Sequence, residues 1–374
     1  MSDRPLRVLQ LYPKADYFTG AAIQLRELAR GLVARGHHVT IATPPGPHGP
    51  RLATPGVEHV SLPMRRAWDP RSVWRLSRLL RTRRIDVVHA HKGRARTLAV
   101  LAGLVGPRPP LILNRGVSFV PDRLTRLGYT TRRVDAIVAV CGSIRDDLVR
   151  VGIPAAKIQV IYSGTDVHRF HPEVDGGPIR RELGLAPDHF VITQVGVRSW
   201  RGWSDVMDAM PLVATAAPAA RLLFVGAPPS AIARLSDRAR ALGIGSRVLV
   251  IGPREDMPQV MAASDVVVDA SWAGLGITGS IREGLAAERA VVATRLAGMP
   301  ELVIDGETGL LVPPRAPDVL AAAILRLHRD PTWRQQLARA GRKRVEAEFS
   351  LDAKVTATER LYRRLVAPVP PPPK

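Results

Sequence analysis

Short apolar runs alternate with amphipathic stretches along the chain, beginning with an apolar run from Arg7 to Leu11. The residues from Ala21 to Ala34 follow a helical pattern, with an apolar stripe of Ile23, Leu28 and Leu32. A new strand pattern opens at His38, shortly after a glycine of the kind that commonly follows helix ends. Strand, helix and strand in this order predict a parallel sheet with helices on its faces.

The same order starts again in the second half of the chain. Phe190 to Val195 predicts a strand, Gly196 to Gly202 a basic loop, and Trp203 to Ala214 a helix. In sheets of this kind, ligands bind at the carboxyl ends of the strands, where the N-termini of helices also lie. The loops that directly follow strands are therefore the places to look for functional residues.

The domain boundaries follow from composition. The stretch from His171 to Pro178 is rich in Pro, Gly and Asp and is typical of a linker. We therefore expect an α/β fold of two Rossmann-like, doubly wound domains, residues 1–172 and 173–350, that face each other across a cleft. Residues 351–374 are expected to form a C-terminal helix, which could cross back to the first domain, and a Pro-rich tail.

Length and composition narrow the class of protein. The chain has 374 residues, of which 46% are hydrophobic and 23% charged, and this composition indicates a globular protein. Its one cysteine excludes an internal disulfide or a Cys-rich metal site. Neither a secretion signal nor an apolar run of membrane-spanning length is present, so we expect a cytoplasmic protein. Peripheral association with the inner face of the cell membrane is compatible with this expectation.

The net charge of +21 allows two interpretations, an anionic partner or the composition of an arginine-rich proteome. No nucleic-acid partner is expected, because aromatic residues are few and do not interleave with the basic runs. The segment Arg65 to Arg84 contains eight arginines, Trp68 and Trp74, with an apolar stripe of Val73, Leu76 and Leu80. Its basic face is either simply solvated or docks on an anionic membrane surface that carries a lipid acceptor.

A loop rich in small residues, Gly274 to Gly279, lies between a strand pattern that ends at Asp269 and a helix that carries Glu283. Thr278 is a suitable N-cap for that helix. The free N–H groups at its start would hold a diphosphate, and Glu283 would accept both hydroxyls of a ribose. The alternative is that the glycines form ordinary turns and Glu283 pairs with a neighbouring arginine, Arg282 or Arg289.

This segment resembles the donor-sugar motif of the retaining glycosyltransferases of family 4, which have the GT-B fold. The matching stretches are Asp265 to Ser271, Glu283 to Ala286, Pro300 to Val303 and Asp305 to Leu310. Ile161 to Asp166, followed by Arg169-Phe170, looks like the family's interdomain Asn-Gly-x-Asp signature, with Ser163 in place of Asn. The resemblance extends over nearly the whole chain and implies that the donor is a nucleotide-diphosphate sugar.

One position departs from the family pattern. The family motif is Glu-x7-Glu, and eight positions before Glu283 stands Leu275. The resemblance implies that the second Glu contacts the ribose, so Glu283 is assigned to donor binding together with Gly276, Ile277, Thr278 and Gly279. The first Glu contacts the donor sugar in the family, so Leu275 leaves sugar recognition and catalysis open.

The basic loop after Val195 offers a second candidate site. Two arginines on a glycine-rich loop suit a diphosphate, because guanidinium forks match phosphate oxygens. The resemblance implies that Arg198 and Arg201 are catalytic, neutralising the charge of the leaving nucleotide, and that Gly196 lies at the donor. Arg201 stands where the family has a lysine.

The first half contributes further candidates through the resemblance. Phe18 to Ala22 corresponds to the family's Gly-Gly loop, so Gly20 and Ala21 are assigned to donor binding. His91 ends a strand pattern where the family has a histidine near the reacting centre, and it is assigned as catalytic. His89 is expected on the same face, buried beneath the site. Arg254 stands where relatives hold the nucleobase through backbone atoms.

We therefore expect a retaining glycosyltransferase that moves a sugar from a nucleotide-diphosphate sugar to a hydroxyl acceptor, either a carbohydrate or a lipid-linked one, in bacterial envelope glycan or glycolipid synthesis. No metal or other cofactor is expected, since the sequence has no Asp-x-Asp triplet. Three alternatives stay open: a non-catalytic nucleotide-sugar-binding protein, a nucleic-acid-binding protein, and a sugar-nucleotide epimerase.

Overall fold

The computed structural model describes residues 4–15, 19–116, 123–274 and 276–367. The chain divides into two compact units. The first unit comprises Met1–Gly164 together with Leu351–Lys374, and the second comprises Thr165–Ser350. Each unit is built on its own parallel sheet, which confirms the predicted α/β fold class.

Within the described residues, the first unit contains seven parallel strands in the order β3-β2-β1-β4-β5-β6-β7. The strands are β1 (Arg7–Leu11), β2 (His38–Thr43), β3 (Val57–Ser61), β4 (Val87–His91), β5 (Leu111–Arg115), β6 (Ala136–Ala139) and β7 (Ile158–Val160). Five helices join them: α1 (Gly20–Ala34), α2 (Pro70–Thr82), α3 (Lys92–Val105), α4 (Arg123–Thr130) and α5 (Gly142–Arg150). The direction of strand addition reverses between β1 and β4, which makes the carboxyl ends of these two strands the switch point of the sheet.

The described part of the second unit contains six parallel strands in the order β10-β9-β8-β11-β12-β13. They are β8 (Phe190–Val195), β9 (Ala220–Val225), β10 (Val248–Ile251), β11 (Val266–Asp269), β12 (Ala290–Thr294) and β13 (Leu310–Val312). The helices are α6 (Gly177–Glu182), α7 (Trp203–Ala216), α8 (Pro229–Ala241), α9 (Met257–Ala263), α10 (Gly279–Ala286), α11 (Met299–Leu302), α12 (Pro317–Arg329) and α13 (Pro331–Glu348). Here the switch point lies between β8 and β11.

The two units meet in sequence between Gly164 and Thr165, rather than between residues 172 and 173 as the composition suggested. The reason is that the residues after Gly164 are bonded to the second unit. The Thr165 N–H donates to the Phe349 carbonyl at 2.9 Å, and Phe170, which is buried, accepts at its carbonyl from Arg342 Nη1 at 3.3 Å. The boundary between the two units is therefore set by hydrogen bonds and not by the Pro- and Gly-rich stretch from His171 to Pro178.

The C-terminal helix α14 (Leu351–Val366) is part of the first unit. It packs on α1 where Gly31 leaves room for Val355, since a Cβ on that glycine would lie 2.4 Å from Val355 Cγ2. Tyr362 is fully buried and its hydroxyl accepts from Gln10 Nε2 of β1 at 3.0 Å. None of the helices in the described ranges is long and apolar enough to cross a membrane.

The predicted stripe of the first helix is correct in part. Leu28 and Leu32 are buried as expected, together with Ala22 and Leu25 of the same helix. Ile23 points outward and is 38% exposed, so its assignment to the stripe was wrong. Ile23 is one residue from Ala22, about 100° around the helix, which turns it away from the face that packs on the sheet.

Candidate functional site

The carboxyl ends of β8 and β11 bring two loops together in the second unit. The loop after β8 approaches the loop after β11 so closely at Gly202 that an added Cβ would lie 1.9 Å from the Ala270 carbonyl oxygen. Gly202 also has a φ of 64°, in the left-handed region that favours glycine. Trp272 joins the loops further, since its backbone N–H donates to Trp200 O at 3.0 Å and its Nε1–H to Ser199 O at 3.1 Å.

Arg201 is held by a buried carboxylate. Its Nη1 lies 2.7 Å from Asp269 Oδ2 at the end of β11, and Asp269 is only 2% exposed. The same nitrogen donates to Thr278 Oγ1 at 3.4 Å, and the guanidinium carbon lies 5.3 Å from the Trp200 ring centroid. Arg201 is therefore directed toward the start of α10, where an anion could use its remaining N–H groups.

Sequence reasoning missed the part played by Asp269. The signal was present, because a carboxylate at the end of an apolar Val-Val-Val strand is costly to bury without a partner. The sequence alone did not identify Arg201, 68 positions earlier, as that partner. The carboxylate also accepts from the Ser271 N–H at 3.1 Å, which fixes its orientation.

Thr278 occupies the N-cap position of α10 but does not cap it. Its side chain makes no cap hydrogen bond, because its Oγ1 instead accepts from Arg201. The expected capping role was therefore wrong, and the first N–H groups of α10 are not used by Thr278. Gly276 and Ile277 precede it in the loop, and Gly279 is the first residue of α10. Leu275 lies outside the described residues.

Glu283 lies in the second turn of α10 and is half-buried. Among the described residues its carboxylate has no hydrogen bond and no ion pair. Arg282, one of the two suggested partners, donates instead to Thr165 Oγ1 at 3.3 Å and Ile277 O at 3.1 Å, and Arg289 donates to Ala287 O at 3.1 Å. The alternative in which Glu283 pairs with either arginine is therefore wrong.

The electrostatics of Glu283 are set by burial and by two cations. Loss of solvent raises the pKa of the Glu283 carboxyl, whereas the positive charges of Arg282 and Arg169 oppose that rise. Burial also lowers the pKa of Arg282, to about 10, which still leaves it charged at neutral pH. The carboxylate thus faces a cationic environment and keeps its acceptor capacity for a ligand.

The other two arginines predicted for this unit, Arg254 and Arg198, differ in whether their side chains are bonded to carboxylates. The Arg254 guanidinium lies between two carboxylates, 2.5 Å from Glu182 Oε1 and 2.7 Å from Asp256 Oδ2, and these bonds raise its pKa. The two carboxylates engage four of the five N–H groups of this guanidinium. The Arg198 side chain is exposed and, within the described part of the chain, has no hydrogen-bond or ion-pair partner. Gly196, with a φ of 85°, lies just before it.

In the first unit, His91 and His89 stack on one face of β4, with ring centroids 4.7 Å apart, as their spacing predicted. His91 Nε2 lies 2.8 Å from Gln10 Oε1, Gln10 Nε2 donates to the Tyr362 hydroxyl, and that hydroxyl lies 2.6 Å from His89 Nδ1. Because the amide of Gln10 donates to Tyr362, its oxygen accepts from His91 Nε2–H, and the Tyr362 O–H donates to His89. Burial lowers the pKa of both imidazoles, so both are neutral.

Gly20 and Ala21 lie at the start of α1, beyond the carboxyl end of β1 and so at the same sheet edge as His91. Thr19 Oγ1 accepts from the Ala22 N–H at 3.3 Å and caps this helix. A Cβ on Gly20 would meet nothing within 4 Å, so its backbone is open to a ligand. Phe18, the first residue of the predicted loop motif, lies outside the described residues.

Two family models match consecutive parts of the chain. The model described as Glycosyltransferase Family 4 matches residues 18–169, and the one described as Glycosyl transferases group 1 matches residues 189–330. The chain belongs to the glycosyltransferase family that these two models together describe. The first match covers most of the unit that carries His91 and ends five residues into the second unit, and the second match contains both loops at the β8–β11 switch point.

Curated relatives of this glycosyltransferase-family chain include two mycobacterial enzymes. The alpha-maltose-1-phosphate synthase of Mycolicibacterium smegmatis is 32% identical over 254 residues, 62% of this chain and 64% of the relative. The D-inositol 3-phosphate glycosyltransferase of Mycobacterium tuberculosis is 31% identical over 297 residues, 75% of this chain and 57% of the relative. The chain thus matches less than two thirds of the length of either relative.

Solved structures with a similar fold include one named as a glycosyltransferase and one that contains UDP and glucose. A glycosyltransferase from Rickettsia africae has a TM-score of 0.89 at 19% identity and covers 98% of this chain and 100% of its own. Alr3699/HepE of Anabaena, in complex with UDP and glucose, has a TM-score of 0.83 at 21% identity, with 95% and 99% covered. These similarities confirm the predicted GT-B architecture.

Proposed function

We propose that this protein is a retaining glycosyltransferase that takes a sugar from a nucleotide-diphosphate sugar and transfers it to a hydroxyl acceptor. The observation that carries the proposal is the Glu283 carboxylate, which has no partner among the described residues and lies at the same switch point as the oriented guanidinium of Arg201. A carboxylate in that position suits the two hydroxyls of a ribose. The complex of HepE with UDP and glucose, and the transfer reactions named for the curated relatives, support this choice.

In this proposal the diphosphate lies at the start of α10. Arg198, Arg201 and the N–H groups from Gly276 to Gly279 surround it, while the base lies near the backbone of Arg254. Arg201 can serve because Asp269 engages one of its nitrogens and leaves the others for phosphate oxygens. Held cations of this kind stabilise the charge that develops on the leaving diphosphate, without reorganisation during the reaction.

The first unit contributes His91 and the backbone of Gly20 and Ala21 to the reaction. His91 is neutral and presents Nδ1 as a hydrogen-bond acceptor, because Nε2 donates to Gln10. No charged base on the protein is required if the leaving diphosphate takes the proton of the acceptor hydroxyl. We assign the product to bacterial envelope glycan or glycolipid synthesis, on the resemblance to family 4.

A second candidate function follows from Leu275, which replaces the first glutamate of the family motif. In that case the protein binds a nucleotide sugar without transferring it. Both functions require nucleotide binding, so they are separated by a catalytic assay: a transferase slowly hydrolyses its donor in the absence of acceptor, and a non-catalytic binder does not.

We expect Glu283→Gln to weaken the binding of the preferred nucleoside diphosphate by about tenfold or more, the value of a charge-assisted hydrogen bond. Isothermal titration with UDP, GDP, ADP and CDP identifies that nucleotide. The 2′-deoxy form should bind the wild type more weakly, and Glu283→Gln should no longer distinguish the two forms.

The control for this variant is Glu307→Gln, which neutralises an exposed carboxylate in the same unit and should bind nucleotide normally. Equal affinity of wild type and Glu283→Gln for the ribonucleotide would refute the ribose assignment. If the wild type binds none of the four nucleotides, the assignment of a donor site to these residues is wrong.

We propose further that the first unit docks on an anionic membrane through the outer face of α2 and the loop before it. Val73, Leu76 and Leu80 are buried, whereas Trp68 and Trp74 are 61% and 60% exposed. An arginine guanidinium stands over each ring, Arg66 at 5.4 Å and Arg78 at 5.6 Å from the ring centroids. A cavity of about 550 Å³ beside Trp68 is lined by Arg65, Arg66, Arg71 and Arg75. Exposed tryptophans flanked by arginines suit the boundary between headgroups and acyl chains.

We expect the double variant Trp68→Ser, Trp74→Ser to bind vesicles of phosphatidylcholine and phosphatidylglycerol about tenfold more weakly than the wild type, since two partly inserted rings lose their apolar contact. Co-sedimentation with these vesicles at fixed ionic strength measures the affinity of each variant for the membrane. Leu212→Ser, which removes an exposed apolar side chain in the second unit, is the control. Binding that depends on salt but not on the tryptophans would mean that this face is only a solvated basic surface.

A further inference from the structure

A chain of three hydrogen bonds connects the C-terminal helix α14 to the end of β4 in the first unit. His91 Nε2 lies 2.8 Å from Gln10 Oε1, Gln10 Nε2 lies 3.0 Å from the Tyr362 hydroxyl, and that hydroxyl lies 2.6 Å from His89 Nδ1. All four side chains are buried. Tyr362 is 352 positions from Gln10 in the sequence, so a helix at the far end of the chain is connected to His91 through one glutamine.

Gln10 is the member of this chain that can turn either end of its amide toward His91. The amide has an accepting oxygen and a donating nitrogen, and exchanging them changes its shape very little. Within the described residues the Gln10 side chain bonds only to His91 and Tyr362. The orientation of the amide is therefore decided by Tyr362, which accepts from Gln10 Nε2 because its own O–H donates to His89.

The three bonds run in one direction, from His91 to His89. Burial lowers the pKa of both imidazoles, so each neutral ring has one N–H group and one acceptor nitrogen. A proton on His91 Nδ1 in place of Nε2 would require every bond in the chain to reverse, and buried hydrogen bonds in such a chain strengthen one another. Nδ1 of His91, which has no hydrogen-bond partner in the described ranges, is thereby kept as an acceptor.

We propose that Tyr362 and Gln10 are positioning residues for His91, which fix its proton on Nε2 and so keep Nδ1 as an acceptor for a hydroxyl of the substrate. The inference rests on the proposed function in one respect, because it takes His91 to contact substrate. Neither Tyr362 nor Gln10 has to touch substrate, since both act through the ring of His91. The C-terminal helix α14 thereby affects the reacting centre.

The test is Tyr362→Phe, which removes the hydroxyl and keeps the ring. The Gln10 amide nitrogen then loses its acceptor, and turning the amide lets it donate to His91 Nε2, which moves the His91 proton to Nδ1. We expect the Nε2–H form of His91 to exceed the Nδ1–H form about tenfold or more in the wild type, the value of one hydrogen bond, and the two forms to be comparably populated in Tyr362→Phe. Nitrogen-15 NMR of histidine-labelled protein measures the two populations, and His91→Gln identifies the signals of His91.

Tyr129→Phe is the matched control, because it removes another buried tyrosine hydroxyl of the first unit, one that accepts from Arg115 Nη1 at 3.2 Å. It should leave the two populations of His91 as they are in the wild type. If Tyr362→Phe lowers the unfolding midpoint, Gln10→Leu, which removes the bridging amide, is measured in its place and should also make the two forms comparable.

The rate of sugar transfer at saturating donor is the second measurement. It should fall about twofold or more in Tyr362→Phe, in proportion to the Nε2–H form that is lost, while the affinity for the preferred nucleoside diphosphate stays unchanged. Equal populations in wild type and Tyr362→Phe would overturn the inference, as would a wild type with its proton on Nδ1 or a shifted population with an unchanged rate. Failure of the wild type to bind any nucleotide refutes the proposed function separately, since the populations are measured without substrate.

Discussion

We expect Arg201→Met to lower the rate of sugar transfer by about 100- to 1000-fold, the usual cost of removing one preorganised group that stabilises developing charge. Of the two arginines assigned as catalytic, Arg201 is the one that the structure holds in place, through Asp269 at 2.7 Å and the Trp200 ring. Methionine retains much of the side-chain volume but neither the charge nor the N–H groups. The measurement is the release of nucleoside diphosphate from the donor under saturating acceptor.

The control for Arg201→Met is Arg329→Met, which removes an exposed arginine at the end of α12 and should leave transfer unchanged. Because Arg201→Met also leaves Asp269 buried without its partner, the free energy of unfolding must be measured for both variants. A fully folded Arg201→Met protein that transfers sugar within a factor of about three of the wild type would exclude the assigned role.

We expect Gly202→Ala to lower the free energy of unfolding of the second unit by about 3 kcal/mol and to abolish nucleotide binding. Left-handed backbone costs a residue with a Cβ about 1–2 kcal/mol, and forcing a methyl group against packed atoms costs about 1–3 kcal/mol more. The clash here is with the Ala270 carbonyl, at 1.9 Å, so the loops after β8 and β11 must separate. Chemical denaturation measures the free energy of unfolding, and nucleotide titration measures the affinity for the nucleotide.

Gly243→Ala is the matched control, because it changes a glycine of the same unit with a similar φ of 69° but with nothing within 4 Å of the added Cβ. It should show only the backbone cost of about 1–2 kcal/mol and bind nucleotide normally. If the two variants lose equal stability, the contact between the loops does not require glycine. If Gly202→Ala binds nucleotide like the wild type, the donor site does not depend on this contact.

The sequence predicted the loops of the candidate site but not the contacts within them. Gly276 to Gly279 and Glu283 could be assigned to the start of a helix because a buried strand pattern ends just before them. The bond from Arg201 to Thr278 could not be foreseen, since it joins residues 77 positions apart, and it changed Thr278 from a helix cap into an acceptor for a guanidinium. The same holds for the bond from Arg254 to Glu182, which joins residues 72 positions apart, whereas the other partner, Asp256, is only two residues away.

The sequence by itself determined what depends on local order: alternating apolar and amphipathic stretches require two parallel sheets with helices on their faces, and strand ends locate the candidate loops. Only the tertiary structure decided which charged groups are engaged and which keep their capacity for a ligand. Asp269 binds Arg201, two carboxylates bind Arg254, and Glu283 has no partner among the described residues. The physical reason is that pairing of charges depends on distances of a few ångströms between residues far apart in the chain, and these follow from strand order rather than from spacing in the sequence.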